Sequence, residues 1–317
     1  MVYTGRVEKP KVGVIIVNHD QKDLLRACLQ SWQACDYQPM TLLVSDNASS
    51  DGAVEMLRLD FPSVMVLAHP RELGFAGAAK AGMDALAASC ELLFLTTNDT
   101  VVDRDMLSHL VEAAEQHPEA AVFGPKIVYF AERGRLWHAG CYLGRWLGNP
   151  GHYGLLQLDD GTFDTPRSCD FVTGCGFLTR SRPGQAIGFL NPEFGFYAED
   201  SDYCLRLREQ GWDIRYVPNA RMAHRISATL GSNSPLSAYY SARNHLRVLW
   251  ESRWGFFPLT LLLYSALLLG RYVPLEFKRG LKPGWSYARN VLLGMRDFLL
   301  RRWGMRDPSD VRKPFPL

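Results

Sequence analysis

The sequence predicts an α/β fold, a mostly parallel, doubly wound sheet with a helical extension at its C-terminal end. Short apolar runs, Val12–Val17, Thr41–Val44, Val64–Leu67 and Leu92–Leu95, alternate with stretches whose apolar residues fall at helical spacing. Uninterrupted apolar runs are what strands buried on both faces of a parallel sheet require. Alternation at this tempo places helices on both faces through right-handed crossovers. From Ala238 onward only helical spacing remains, and basic residues outnumber acidic ones from Arg271 to Lys313.

The totals narrow the class. At 317 residues, 47% hydrophobic and 21% charged, the chain buries a substantial core as one large domain or two modest ones. A net charge of +2 leaves no footprint for nucleic acid. The seven cysteines are odd in number and none form a Cys-x-x-Cys pair, which argues against a disulfide framework and against a structural zinc site, and for a reducing compartment. Met1–Lys11 is polar, and the apolar run after it is too short for a signal sequence, so a cytoplasmic protein is expected.

Val12–Val17 is the first strand, ending at Asn18. Leu24, Leu25, Cys28, Leu29 and Trp32 then mark a helix. Thr41–Val44 is broken by the polar run from Ser45 to Gly52, and Val54–Leu59 is a short helix closed by Pro62. After Val64–Leu67, a Gly/Ala-rich helix spans Gly74–Ala88 and leads to the strand Leu92–Leu95. A helix over Arg104–His117 and a strand beginning Ala121–Gly124 follow. Lys126–Phe171 then loosens into Gly, Trp, Tyr and His without a period, as a substrate-facing elaboration does. Phe171–Arg180 reads as a strand, Ser201–Gln210 as a helix and Ile214–Val217 as a strand before Pro218. Ala238–Trp250 is helical. Phe256–Leu269 is almost wholly apolar yet short of the ~20 residues a spanning helix needs. Trp285–Trp303 sets Val291, Leu292, Met295, Leu299 and Trp303 along one face with Arg289, Arg296, Arg301 and Arg302 around it; with Lys278, Arg279 and Lys282 before it, this suits an anionic bilayer surface, and packing in a bundle explains the apolar face equally well.

Several stretches could carry chemistry. Asp99 falls just past the carboxyl end of a buried strand, the edge where open α/β sheets bind ligands. One carboxylate there is ordinarily a turn residue or cap, so it needs company. Asp46, in a turn after the second strand, could accept a hydrogen bond from a base's imino group. Gly74–Gly82 is a Gly-rich turn into a helix, which either faces a phosphate with its N–H groups or packs tightly on the sheet. It matches neither the P-loop nor the dinucleotide fingerprint. Glu199, Asp200 and Asp202 crowd beside Phe194–Tyr197, which would partly desolvate them and suit general-base work; they also fit the acidic first turn of a helix. His224 with Asp99 suits Mn2+ or Mg2+ beside phosphates. Arg243 is a cation that could pair with a diphosphate or simply form a salt bridge.

Taken in order, Val14–Asn18, Ser45–Gly52, Leu73–Gly77, Thr97–Thr100, Glu199–Asp202, Cys204–Leu207, Gly211–Trp212, His224 and Arg243–Asn244 resemble glycosyltransferase family 2, in particular its bacterial rhamnosyltransferase-like branch. The resemblance runs from Val12 to about Asn244. It implies a GT-A fold and inverting transfer of a sugar from a nucleoside diphosphate donor, a dTDP- or UDP-sugar with dTDP-rhamnose favoured, to a glycan or lipid-linked acceptor. It implies Asp200 as the base, supported by Glu199 and Asp202, and a divalent metal, Mn2+ or Mg2+, on Asp99 and His224. Asn18, Asp46, Gly74, Phe75, Asn98, Asp99 and Arg243 would contact the donor. Residues 1–236 would form the catalytic domain, with a nucleotide-sugar half about 10–125 and an acceptor half about 126–236, and 237–317 a helical region in peripheral contact with the membrane. Two departures stand out: Thr97 occupies the first DxD position, and Glu72 and Ala79-Lys80 stand where relatives often carry Asn. A nucleotidyltransferase is the competing enzyme class, but the first strand is not followed by its Gly-rich basic loop. A non-catalytic sugar-nucleotide binder is the other alternative.

Overall fold

The strands of the first half form where apolar side chains are needed on both faces. In the computed structural model, which describes residues 9–225, 234–278 and 280–306, β1 (Val12–Asn18) is buried along its whole length. It lies between β2 (Met40–Asp46) and β4 (Leu92–Thr97), parallel to both. β3 (Met65–Ala68) closes that edge and is half exposed, as an edge strand should be. The crossovers are α1 (Lys22–Gln33), α2 (Ala53–Asp60) and α3 (Gly74–Leu86). Val14 and Ile16 of β1 pack with α1 and α2, whereas Ile15 and Val17 pack with α3 on the opposite face. Alternation along a strand thus builds two cores around one sheet.

Beyond β4 the chain forms β5 (Thr100–Val102), α4 (Met106–Gln116) and β6 (Ala120–Tyr129). The aperiodic stretch holds four short strands: β7 (Leu136–His138), β8 (Cys141–Leu143), β9 (Pro150–His152) and β10 (Arg167–Ser168). β11 is only Gly176–Arg180, shorter than the sequence suggests, because Phe171–Cys175 leaves the sheet to wall a cavity. It runs antiparallel to its neighbours β4 and β6. After α5 (Ser181–Ala186) and a 3-10 turn at Pro192–Phe194, α6 covers Glu199–Glu209. β12 runs from Asp213 to His224, continuing through Pro218 where the expected strand stopped; a register shift between Val217 and Arg221 accommodates the proline. The main sheet runs β10, β12, β6, β11, β4, β1, β2, β3, with β5 paired to β12 and β7 to β6.

The C-terminal helices are α7 (Pro235–Glu251), α8 (Leu259–Leu267), α9 (Val273–Phe277) and α10 (Leu281–Leu299), with a π turn at Leu268–Tyr272. Ala242, Leu246 and Leu249 of α7, Tyr264 of α8, and Val291 and Phe298 of α10 share a small core, which Trp303 joins from beyond the helix end. The apolar face expected for the last helix is therefore divided. Val291 is fully buried, while Leu292 and Leu299 are 53% and 75% exposed. Arg279, Lys313 and Met1–Glu8 lie outside the described residues.

Candidate active site

A cavity of about 420 Å3 opens at the carboxyl ends of β1 and β4. The first half of the chain supplies His19, Asn47, Phe75, Thr97, Asn98 and Asp99 to its wall. The second half supplies Trp137, His152, Phe171, Gly174, the segment Phe196–Ser201, His224 and His245. Asp99 and Asp200, far apart in sequence, therefore face one hollow. No lysine or arginine is among the described residues lining it.

Asp99 follows β4 and is nearly buried. Its Oδ1 accepts from the Thr97 hydroxyl at 2.6 Å, and its Oδ2 lies 3.3 Å from His224 Nε2. The pairing of β12 with β5 brings them together, since it sets His224 opposite Thr100. Burial alone would push the Asp99 carboxyl up, but the His224 imidazole and Thr97 hydroxyl outweigh it and hold the group below the usual range. Burial likewise works against a charged His224, yet Cys175 and Asp99 raise it to about 10. Thr97, in the first DxD position, thus orients the carboxylate that follows two residues on.

Asp200 sits in the first turn of α6, after Tyr197 and Ala198, both in left-handed backbone (φ 64° and 67°). Such strain in non-glycine residues is typical of sites where position matters more than local comfort. The Gly174 N–H donates to Asp200 Oδ2 at 2.8 Å and the Ser201 N–H to Oδ1 at 2.6 Å. Burial raises the Asp200 carboxyl and these donors pull back part of the shift. Glu199 beside it is pushed well up, by burial first and by Asp200 second, and its Oε2 has no hydrogen-bond partner among the described residues. Two crowded, buried carboxyls thus lie side by side on the cavity wall, both raised above the usual range by burial. Asp202 turns away and pairs with Arg206, whose Nε donates at 2.9 Å.

The other residues singled out from the sequence are placed as follows. Asn98 lines the cavity, and its Nδ2 donates to Asn18 Oδ1 at 2.7 Å; Asn18 Nδ2 in turn donates to Ser49 Oγ at 3.0 Å. Asn18 is buried behind that wall and ties the ends of β1, β2 and β4 together. Asp46 is also buried behind it, accepting from the Ser49 N–H at 3.2 Å, while its neighbour Asn47 reaches the cavity. Phe75 lines the cavity and Gly74 does not. Gly74 has φ +71°, a Cβ there would fall 2.8 Å from the Gly195 carbonyl oxygen, and that oxygen accepts from the Ala76 N–H at 3.0 Å. The packing alternative describes this glycine, with the helix start joined to the Gly195 turn.

Arg243 is brought not to the cavity but behind it. Its guanidinium donates to the carbonyls of Glu193, Phe194 and Gly304 at 3.1, 3.0 and 2.7 Å, and to Asn244 Oδ1 at 2.8 Å. Asn244 Nδ2 donates to the carbonyls of Phe194, Phe196 and Tyr197. The pair acts on the site through the turn that delivers Phe196, Tyr197 and Asp200.

His19, Trp137, His152 and His245 line the cavity without having been singled out from the sequence; Asn47 and Phe196, read there as part of a turn and as a desolvating neighbour of the carboxylates, line it too. For Trp137 and His152 there was a signal, the concentration of aromatic and His residues in Lys126–Phe171. Burial lowers His152 and His245 to about 4 each, so both are neutral at physiological pH.

The mostly parallel sheet with its inserted antiparallel strand and C-terminal helices has the GT-A glycosyltransferase fold. Residues 13–182, more than half of the chain, match the family described as Glycosyl transferase family 2, and the chain belongs to that family. The O-antigen biosynthesis protein RfbC of Myxococcus xanthus is 31% identical over 245 residues, 73% of this chain but only 18% of that protein's length. An N-acetylglucosaminyl-diphospho-decaprenol L-rhamnosyltransferase of Mycobacterium tuberculosis (strain ATCC 25618 / H37Rv) is 26% identical over 279 residues, 81% of this chain and 90% of that one. The fold is shared with GalNAc-T7, solved with UDP, GalNAc and Mn2+, at a TM-score of 0.62 and 15% identity over 93% of this chain and 57% of that one. It is shared too with the mannosyltransferase PcManGT from Pyrobaculum calidifontis, solved with GDP-Man and Mn2+, at a TM-score of 0.58 and 14% identity over 93% of this chain and 89% of that one.

Proposed function

We propose that the chain is an inverting glycosyltransferase that moves a sugar from a nucleoside diphosphate to a hydroxyl of a lipid-linked or cell-surface polysaccharide acceptor. L-Rhamnose carried on deoxythymidine diphosphate is the donor we favour, because the mycobacterial relative named as an L-rhamnosyltransferase matches most of both chains. The observation that carries the reading is the sharing of one cavity by Asp99 and Asp200.

The residues present fit a divalent ion, Mn2+ or Mg2+. A carboxylate and an imidazole meet on the cavity wall, and no described lysine or arginine lines it to balance a diphosphate. Asp99 and His224 would hold the ion, and when bound it neutralises charge on the departing diphosphate. Asp200 accepts the proton of the acceptor hydroxyl as that oxygen bonds to the anomeric carbon, and the bond from this carbon to the diphosphate oxygen breaks on the opposite face. Burial and the neighbouring Asp200 push the Glu199 carboxyl well up, which works against a second negative charge beside the base. Phe75, Trp137, Phe171 and Phe196 offer apolar faces to sugar C–H groups, a good match to the methyl of a 6-deoxyhexose. On this reading residues 10–125 serve the nucleotide and 126–236 the acceptor.

Residues 237–317 would bring the enzyme to the inner face of the plasma membrane. Among the described residues no helix is long and apolar enough to cross a membrane. Leu281, Trp285, Leu292 and Leu299 of α10 are exposed and, at about 100° per residue, fall within an arc of about 40°. Arg296, partly exposed and paired with Asp297, lies beside that stripe, as a cation near an anionic interface would. The seven free cysteines suit a reducing cytoplasm.

The test is Asp200→Asn. Turnover should fall by at least ~100-fold, while donor binding in Mn2+, followed by calorimetry, is kept. The wild-type kcat/KM profile should lose activity on its acid side above the usual carboxylate range, because burial raises Asp200. Retained turnover in the variant would remove Asp200 from the role of base.

A further inference from the structure

We propose that His138, Cys141 and His152 form a second metal site, one for zinc, distinct from the position at Asp99 and His224. One ligand atom from each of the three lies within 4.8 Å of the others, near enough for the three to converge on one ion with a small inward shift. They come from three strands. Cys141 on β8 and His152 on β9 are directly opposed in the antiparallel pair, so their side chains leave the same face. His138, at the end of β7, reaches them across Gly140, whose φ of +92° makes the reversal that L side chains resist. His138 Nδ1 is 3.3 Å from Cys141 Sγ, and its Nε2 has no hydrogen-bond partner among the described residues.

Several features point to an ion rather than to ordinary packing. His152 Nδ1 lies 3.2 Å from the carbonyl of Trp137, the contact that fixes the tautomer of a ligating histidine and leaves Nε2 with a free lone pair. His138 is wholly buried with only one nitrogen partnered, and that one, Nδ1, is the nitrogen beside Cys141 Sγ, where coordination would replace a weak contact to a thiol. The donor set, two imidazoles and one sulfur, selects zinc over Mg2+ or Mn2+, which prefer oxygen. Three protein ligands leave a fourth position, and only His152 of the three borders the cavity, so water or a substrate oxygen completes the site from that side. On binding, Cys141 gives its thiol proton to solvent and joins the ion as thiolate. The absence of a Cys-x-x-Cys pair does not bear on such a site, since two of its ligands are histidines and the third is a single cysteine.

The test uses the full chain loaded with zinc, washed and measured for metal content, and separately loaded with Co2+ to look for the thiolate-to-metal charge-transfer band. About one zinc per chain and a band are expected for the wild type and equally for Asp99→Asn, which alters only the donor's metal position. Cys141→Ser and His152→Gln should both lose the zinc, and Cys141→Ser the band. His152→Gln, at the cavity edge, keeps the test decisive if the serine variant fails to fold. Zinc that washes out of the wild type, or a band that survives Cys141→Ser, would overturn the proposal. Loss of zinc from Asp99→Asn alone would return the metal to the donor site.

Discussion

His224 Nε2 stands 3.3 Å from Asp99 Oδ2: Asp99 lies in the turn between β4 and β5, and the antiparallel pairing of β12 with β5 brings His224 to it. Both side chains are nearly buried on the cavity wall, each within reach of the other. Thr97 completes the arrangement from the opposite side of the carboxylate.

Thr97→Val should therefore weaken Mn2+ binding by about 10-fold, as loss of an outer partner of a metal ligand does, and Asp99→Asn by more. Titration of Mn2+ in the presence of donor measures both. A Thr97→Val protein that binds Mn2+ with wild-type affinity would leave the hydroxyl without this role.

The same pair predicts a pH dependence of stability in the metal-free protein. His224 is raised from 6.5 to about 10 on folding. Its contribution is fully present below about pH 6.5 and is lost as pH rises through about 10. Thermal midpoints should fall across that interval and fall less in His224→Gln. Equal slopes in the two proteins would mean that the imidazolium is not what stabilises the pair.

Arg243 satisfies three carbonyls away from the cavity. Arg243→Ala should cost about 3 kcal/mol in urea unfolding, since buried acceptors lose their donor. Arg243→Lys should recover little of it, because a point charge cannot reproduce the planar fork. Donor affinity that collapses while stability is unchanged would instead put this cation on the diphosphate.

On the proposed membrane attachment, Leu292 and Leu299 would carry the bilayer contact. Replacing both by Glu should lower binding to anionic vesicles at least ~10-fold by cosedimentation, with folding stability kept because both side chains are exposed. Unchanged vesicle binding would assign the membrane contact to other residues.

Much of this was legible in the linear chain. Val12–Val17 and Leu92–Leu95 announced buried strands, because a sheet covered on both faces demands continuous apolar side chains. The abrupt turn to polar residues after Leu95 marked Asp99, and the crowding at Glu199, Asp200 and Asp202 marked the second acidic position. These are local patterns, and local physics is enough to read them. Gly74, Arg243 and Asp202 illustrate the opposite case. Each has a composition suited to the site, but Gly74 packs on the Gly195 turn, Arg243 is drawn to carbonyls behind the cavity and Asp202 to Arg206.

The sequence alone determined the α/β order, the strand ends at which ligands gather and the two carboxylates, because periodicity and punctuation are properties of neighbours in the chain. Only the tertiary structure decided that Asp99 and Asp200 share one hollow, that β12 continues past Pro218 to bring His224 to Asp99, and that Cys141 faces His152 across a strand pair. Strand register and long-range packing set the direction of a side chain, and neither is written in the residues on either side of it.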